Sequence, residues 1–270
     1  MTVMALDPCG RLQTVSSAWA TGIYATTALG RQLRPTEQPP HYAFAICFDS
    51  HPDLLALGLQ EVVIDPVNGL SVADIATDLG LHTGTSVPNE YPRGSEPAGL
   101  AIVSSMPATG YFDRPYGEVY ERRGHKHAPR LLSAHFAIAN ADVDTPPRTI
   151  AVSTTLFPNQ SPGKIAVRRR TTQALRDALA ELDPAIDHVL TGDLNTSPFQ
   201  RPLQKAHAGW ERRTGGHVTG KTWRYPRFPL IAANLDYVLT RGAVEIKAIK
   251  TLPRTGSDHS PLIASMRLAD

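Results

Sequence analysis

The residues of this sequence best suited to chemistry are Glu61 at the end of "LGLQE", Asp193 and Asn195 in "TGDLNTSPFQ", Asp236 in "LDYVL", and Asp258 with His259 in "GSDHSPL". Carboxylates accept protons and ligate hard cations, an imidazole moves a proton or steadies a developing charge, and an amide holds water or phosphate. Asp193 and Asn195 are two apart, a spacing that puts side chains on one face of a strand, and the pattern breaks at Pro198. A lone aspartate usually caps a helix or closes a turn. Here acids and amides recur at the ends of successive apolar runs, and that recurrence points to a site.

The elements that must position these residues are legible as runs and periods. "DLLALGLQEVV" from Asp53 is an apolar run emerging at Gln60 and Glu61, the pattern of a buried strand reaching a functional edge. "SVADIATDLG" predicts a short helix with Ser71 as N-cap, Val72, Ile75, Ala76 and Leu79 on one face and Gly80 as the stop. Further strands are expected at "GLAIVSS" from Gly99, "RLLSAHFAIA" from Arg130, "TIAVSTTLF" from Thr149, "DHVLTGDLN" from Asp187, "NLDYVLT" from Asn234 and "PLIASMRL" from Pro261, with a weaker first strand in "RLQTVSSAW". Between "TIAVSTTLF" and "DHVLTGDLN", "RRRTTQALRDALAEL" carries a helical stripe of Ala174, Leu175, Ala178, Leu179 and Leu182. The Arg168 to Arg170 run reads first as a solvated face, with one arginine able to turn toward an anionic substrate.

A chain of 270 residues with 41% hydrophobic and 19% charged residues fits one globular α/β domain over 1–270, its core from about 11 to 268, and speaks against disorder and repeats. The formal charge of +2 is too small to announce a polyanionic partner. Locally, Arg201, Lys205, Arg212, Arg213, Lys221, Arg224 and Arg227 face the single acid Glu211, so this segment carries +6 and the rest −4. Trp210, Trp223, Tyr225 and Phe228 are interleaved with those cations, as a surface that meets phosphates and rings needs. A solvated basic loop with its aromatics in the core fits that pattern equally well. Two cysteines without metal-ligand spacing give neither a zinc site nor a disulfide framework. With no signal-like start and no membrane-length apolar run, the expected location is the cytoplasm, with no membrane partner.

Taken in order, "LQE", "GDLN", "LDYVL" and "SDHSPL" resemble the endonuclease/exonuclease/phosphatase (DNase I-like) superfamily, from roughly Trp19 to the C-terminus. The resemblance implies a four-layer α/β sandwich, with two mixed β-sheets packed face to face, helices outside, and an active site where strand-end loops meet. It implies Mg²⁺ or Mn²⁺ held by Glu61 with Asp258 in support, Asp193 orienting or deprotonating water, and Asn195 holding water or phosphate. It also implies a His259 oriented by Asp236 to stabilise charge on the phosphoryl group. Arg170, which keeps its spacing to Gln173, and Trp223 with Arg224 in "KTWRYPRF" match substrate-side positions, and Thr155 stands where the family places a phosphate-contacting His or Tyr.

Two departures accompany the match. Ala20 follows Trp19 where the family usually has Asn, and Thr155 can donate a hydrogen bond but cannot carry an imidazolium charge. Losing one preorganised donor costs about two to three powers of ten in rate. Three accounts follow: the first strand aligns elsewhere, His125, Lys126 or His127 substitutes, or the site serves different chemistry. The leading expectation is a metal-dependent phosphoesterase, nuclease activity included, acting on a nucleic acid or a small phosphate ester. The alternatives are the same scaffold acting on a non-nucleotide, secondary-metabolite-type molecule, and a binding protein with weakened turnover. Retention of so many acids argues against the last, since like charges are not gathered without use. The oligomeric state is left open.

Overall fold

Side chains alternate across a strand, so a strand packed on both faces sends odd positions into one core and even positions into another. This chain does so in both of its large sheets. The computed structural model describes residues 4–6, 12–14, 42–48, 51–63, 72–73, 76, 81–82, 86–92, 98–122, 125–138, 146–157, 165–195, 210–213, 221–225, 230–251, 259–260 and 262–269. Along the chain run β1 (Met4–Leu6), β2 (Leu12–Thr14), β3 (Tyr42–Phe48), β4 (His51–Val63), β5 (Ser86–Pro92), β6 (Ala98–Ser104), β7 (Gly110–Pro115), β8 (Tyr120–Arg122), β9 (His125–His127), β10 (Arg130–Ile138) and β11 (Arg148–Leu156). Helix α1 (Ile165–Ala180) follows, then β12 (Asp187–Asp193), β13 (Glu211–Arg213), β14 (Trp223–Arg224), β15 (Ala232–Ala233), β16 (Asp236–Arg241), β17 (Val244–Thr251) and β18 (Leu262–Leu268).

One sheet has the order β13-β16-β12-β11-β10-β7 and the other β17-β18-β3-β4-β6-β5-β9-β8. Each is mixed, with β11 parallel to β12 in the first and β18 parallel to β3 in the second. Leu100 and Ile102 of β6 meet Leu132, Phe136, Val152, Val189 and Val238 in a core between the sheets. The intervening residues Ala101 and Val103 face outward with Leu59, against Val72 and Ala76 of the helical segment after β4. On the other outer face, Leu131, Leu190 and Leu239 pack on Leu175, Ala178, Leu179 and Leu182 of α1 and just beyond it. Three apolar seams between four layers make this the α/β sandwich expected. Each leucine fully buried along α1 is worth about 1.5–3 kcal/mol.

Helix α1 has no basic residue in its last turn, so its exposed carbonyls and negative dipole end need a cation from elsewhere. Arg241 at the end of β16 supplies it, donating to the carbonyls of Leu179 (3.2 Å), Leu182 (3.0 Å) and Asp183 (3.1 Å). Its guanidinium also lies 5.2 Å over the Trp210 ring. Burial pushes the guanidinium somewhat below its ordinary range, opposed by the nearby Asp183.

Strands β4, β6, β10, β11, β12, β16 and β18 stand where the sequence patterns put them. Of the weak first strand, Leu12–Thr14 is a strand and the remaining residues lie outside those described. The expected helix over "SVADIATDLG" is present at Val72, Ala73 and Ala76, while Ser71, Ile75, Leu79 and Gly80 lie outside the described residues. Two stretches for which no strand was expected form strands. In "ERRGHKHAPR", a basic stretch whose composition suggests a loop, β8 and β9 pair antiparallel, Arg122 opposite His125, at the edge of the eight-stranded sheet. The fully apolar "YAFAICF" forms β3, between β18 and β4 in the eight-stranded sheet.

Candidate active site

The central strand β12 is buried from end to end and delivers Asp193 at its C-terminal end. Its antiparallel neighbour β16 begins at Asp236, and the two aspartates are register partners. Both lie on the face turned toward the other sheet, in line with Val189 and Val238 of the inner core. His259, just ahead of β18, completes the group. One ligand atom from each of Asp193, Asp236 and His259 lies within 4.8 Å of the others, and all three residues are buried. The His259 Nδ1–H donates to Asp236, with Oδ2 at 2.9 Å and Oδ1 at 3.1 Å. This fixes the ring's orientation and leaves Nε2 as the nitrogen turned away from Asp236.

Asn195 joins the cluster by a different route from the one expected. The strand ends at Asp193, and Asn195 takes a left-handed backbone with φ of 45°, which asparagine tolerates better than most residues. It therefore does not share a strand face with Asp193; the chain curls back. Its backbone N–H donates to Asp193 Oδ1 at 2.7 Å, and its side-chain Nδ2 donates both to Asp193 Oδ2 at 2.9 Å and to the Phe157 carbonyl at 2.8 Å. Both carboxylate oxygens of Asp193 are thus held by one residue. The Phe157 N–H in turn donates to the Asp193 carbonyl at 2.8 Å, tying the loop after β11 to the same point.

Thr222, which the sequence reading did not single out, couples the two halves of the imidazole–carboxylate pair. Its hydroxyl accepts the N–H groups of Leu235 (3.0 Å) and Asp236 (3.3 Å), and its carbonyl accepts Ser260 N–H at 2.8 Å. It is completely buried. The signal in the sequence was a threonine beside Trp223 in "KTW", a residue type read too easily as part of a basic loop. Trp223 forms a backbone bridge with His259 and sets its ring edge-on to the imidazole at 6.4 Å. Arg224 is exposed next to it.

Glu61 marks an irregularity of the backbone. Between β4 and β6 the register passes from Gln60 opposite Leu100 to Val62 opposite Gly99, so Glu61 is the extra residue of a β-bulge. Bulges re-aim the chain and gather beside active sites. Just before it, Gln60 is buried and donates through Nε2 to the Thr154 hydroxyl of the facing sheet. Gly58 permits that approach, since a Cβ there would sit 2.6 Å from the Thr191 hydroxyl. Asp258 and Ala20 lie outside the described residues.

Two expected substrate residues are not brought to the cluster. Thr155 is fully buried on the other face of β11, opposite Gly192 rather than Asp193. Its hydroxyl donates to the Arg130 carbonyl at 2.8 Å and accepts from Tyr116, whose oxygen lies at 2.7 Å. Burial pushes the Tyr116 hydroxyl well above the phenol range, so it stays protonated. Register parity is the reason: in "STTLF" every second residue must face the helix layer. Arg170 is exposed on α1 and pairs with Glu118 at 3.2 Å.

The donor set suits a divalent cation. Two carboxylates and one imidazole converge closely enough to hold one metal ion. This trio differs from the expected pair of Glu61 and Asp258, whose side chains are not among those described.

A model of the Endonuclease/Exonuclease/phosphatase family matches residues 41–259. A search of curated proteins found no match. Among solved structures, an endonuclease/exonuclease/phosphatase from Beutenbergia cavernae superposes with a TM-score of 0.57 at 22% identity, covering 91% of this chain and 66% of that one. One from Bacteroides vulgatus gives 0.59 at 15% identity, covering 84% and 98%. The human nocturnin catalytic domain gives 0.56 at 17% identity, covering 80% of each chain. At these identities the structural likeness is one of fold. With a family match that spans residues 41–259, most of the sequence, and includes Asp193, Asp236 and His259, the chain belongs to the endonuclease/exonuclease/phosphatase family.

Proposed function

We propose that this protein is a divalent-metal-dependent phosphoesterase that hydrolyses phosphate esters with an activated water. The family's members are mostly metal-dependent phosphoesterases. The observation that carries the reading for this chain is the buried His259–Asp236 pair set beside an Asp193 whose two oxygens are both oriented by Asn195. A buried carboxylate held in one orientation accepts a proton from water along a defined direction. His259, its Nδ1–H held by Asp236, would need a second proton on Nε2, and as imidazolium would donate that N–H toward the charge that develops on the phosphoryl oxygens. Asn195 and Thr222 keep both groups in place before substrate arrives. Mg²⁺ or Mn²⁺, held by Glu61 with Asp258 in support, would supply neutralisation of phosphoryl charge.

Hydrolysis of bis(4-nitrophenyl) phosphate, 4-nitrophenyl phosphate, and single- and double-stranded DNA, with Mg²⁺, Mn²⁺ or EDTA, tests this reading. Turnover that needs metal and drops at least 10³-fold in both Asp193→Ala and His259→Ala supports it. Turnover that survives EDTA or either substitution overturns it.

A second reading, the same scaffold turned to a non-nucleotide substrate, has one observation in its favour. Thr155 is engaged in the helix layer, so it does not offer the phosphate the contact that a family His or Tyr would. Brisk cleavage of plain DNA would remove this alternative.

A further inference from the structure

The two acids that the proposed reaction needs come from different sheets: Asp193 ends β12 of the six-stranded sheet, and Glu61 stands in β4 of the eight-stranded one. Their separation is therefore set by how the sheets lie on one another, and apolar contacts, being non-directional, fix it only loosely. Glu61 is also less restrained than its neighbours, because the extra residue of a bulge is left out of the ladder. Beside the bulge the two sheets meet in polar groups. Thr154 and Thr191 are register partners on β11 and β12, and Thr191 is two residues ahead of Asp193 on the same face. Gly58 of β4 comes down on both: a Cβ there would lie 2.6 Å from the Thr191 hydroxyl and 3.2 Å from that of Thr154. Two residues on, the fully buried Gln60 donates through Nε2 to the Thr154 hydroxyl. Thr191 donates to the Ser153 carbonyl at 3.0 Å. Gln60 Oε1 has no hydrogen-bond partner among the described residues. A buried amide with one half unpaired costs free energy that an apolar side chain of similar length does not, so packing does not account for a glutamine here.

We propose that Gln60 is a positioning residue, whose amide, bonded to Thr154 across the two sheets, holds the bulge that carries Glu61 in place relative to Asp193. The inference rests on the phosphoesterase reading and assigns a residue that acts through Glu61 rather than on the substrate. A hydrogen bond is short and directional, so it pins two strands where apolar contacts only press them together. This one leaves β4 next to the residue that the ladder does not hold. It lands on the register partner of Thr191, one inward-facing position before Asp193. Groups that orient a metal-binding residue from outside commonly change metal affinity or activity about 10–100-fold when they are lost. A misplacement of about 1 Å between reacting groups costs on the order of 10²-fold in rate.

Titrating Mn²⁺ with protein and following the paramagnetic resonance of the free ion reads metal binding without turnover. Gln60→Met and Thr154→Val should each weaken Mn²⁺ binding by about tenfold or more, and lower kcat for bis(4-nitrophenyl) phosphate even at saturating metal. Thr154→Ser, which returns the hydroxyl without the methyl group, should recover most of the affinity that Thr154→Val loses. Were the strands held by packing alone, valine, with the shape of threonine, would bind Mn²⁺ like the native protein and serine would not; that result overturns the proposal. The double variant Gln60→Met with Thr154→Val removes both polar partners, so its urea midpoint should hold or rise while Mn²⁺ binding stays weak. A double variant that loses stability yet binds Mn²⁺ like the native protein would leave only a structural role and overturn the proposal. Equal Mn²⁺ binding by the native protein and every variant would sink the positioning role and leave the phosphoesterase reading standing. Weakened Mn²⁺ binding in the variants of a protein that hydrolyses no ester would do the reverse. A native protein that takes up no Mn²⁺ would end both.

Discussion

Replacing Asn195 by alanine and, separately, by glycine separates what its backbone does from what its amide does. Both variants keep the backbone N–H bond to Asp193 Oδ1 and lose the two Nδ2 bonds, to Phe157 and to Asp193 Oδ2. A neutral hydrogen bond contributes about 1 kcal/mol and one to a charged group about 1.5–3 kcal/mol. Because Asn195 is only partly buried, water recovers part of that, leaving a loss of about 1–2 kcal/mol in each variant. Alanine must also hold φ near 45°, which costs a residue with a Cβ about 1–2 kcal/mol. Glycine avoids that strain but brings a more flexible unfolded chain, worth about 0.5–1 kcal/mol against it. Urea denaturation should therefore rank wild type above Asn195→Gly and Asn195→Gly above Asn195→Ala, the last gap being about 1 kcal/mol or less. Catalysis should not follow that ranking. With Oδ2 released, the Asp193 carboxylate can swing, and a misplacement of about 1 Å costs on the order of 10²-fold. Hydrolysis of bis(4-nitrophenyl) phosphate should fall equally in both variants. Wild-type activity in Asn195→Gly beside a weak Asn195→Ala would refute the argument, because only the turn, and not the amide, would then matter.

Other consequences are as open to measurement. In Gly192→Ala the new Cβ would meet the Thr155 carbonyl oxygen at 2.4 Å; backbone cannot rotate away, so β11 and β12 must part, at a cost of about 1–3 kcal/mol or more in urea denaturation, with hydrolysis falling as Asp193 moves. Thr222→Val keeps the shape but removes the acceptor for the Leu235 and Asp236 N–H groups, and should lower kcat far more than it raises KM. Burial lowers the pKa of His188, and of His135 too, so the unfolded chain binds more protons below the ordinary imidazole value of about 6.5. Stability should be full above that pH and fall as the pH drops through it, and His188→Gln should flatten the profile; an equal slope in the variant would contradict the assignment. Arg241→Ala removes the cation from the end of α1 together with three carbonyl partners and should lower the melting temperature by several degrees, with Arg241→Lys recovering only part because a single ammonium cannot span them.

The parts of this fold that could be read in the sequence are those whose pattern is local. Strand β12 announces itself by "DHVLTGD", and α1 by the spacing of Leu175, Leu179 and Leu182, because both repeat a single burial direction. Strand β3 has no alternation to read, and β9 hides in a basic stretch because its three residues are held between β5 and β8 by backbone bonds, whatever their side chains. At the site, Asp193, Asp236 and His259 were legible because their residue types are rarely gathered without cause. Their supports were not. Thr222 acts from 14 residues before Asp236 in a bond that exists only once the chain has folded. The inward or outward facing of Thr155 depends on a register between strands rather than on any neighbour in sequence. The left-handed turn at Asn195 likewise replaces a strand period that the sequence alone had suggested.

The bulge at Glu61 also bears on how this protein can change in length. Side chains in β4 alternate up to Gln60, and one supernumerary residue then resets the count against β6. Removing a residue between Gln60 and Val62 would repair the ladder and at the same stroke erase the offset at the acid. Adding one would shift the facing of everything that follows in β4. Strand-end connections generally absorb insertions and deletions, but this one is locked to a count of residues. Variation here is confined to exchange of side chains, so related proteins should differ at this point by substitution and align through it without gaps.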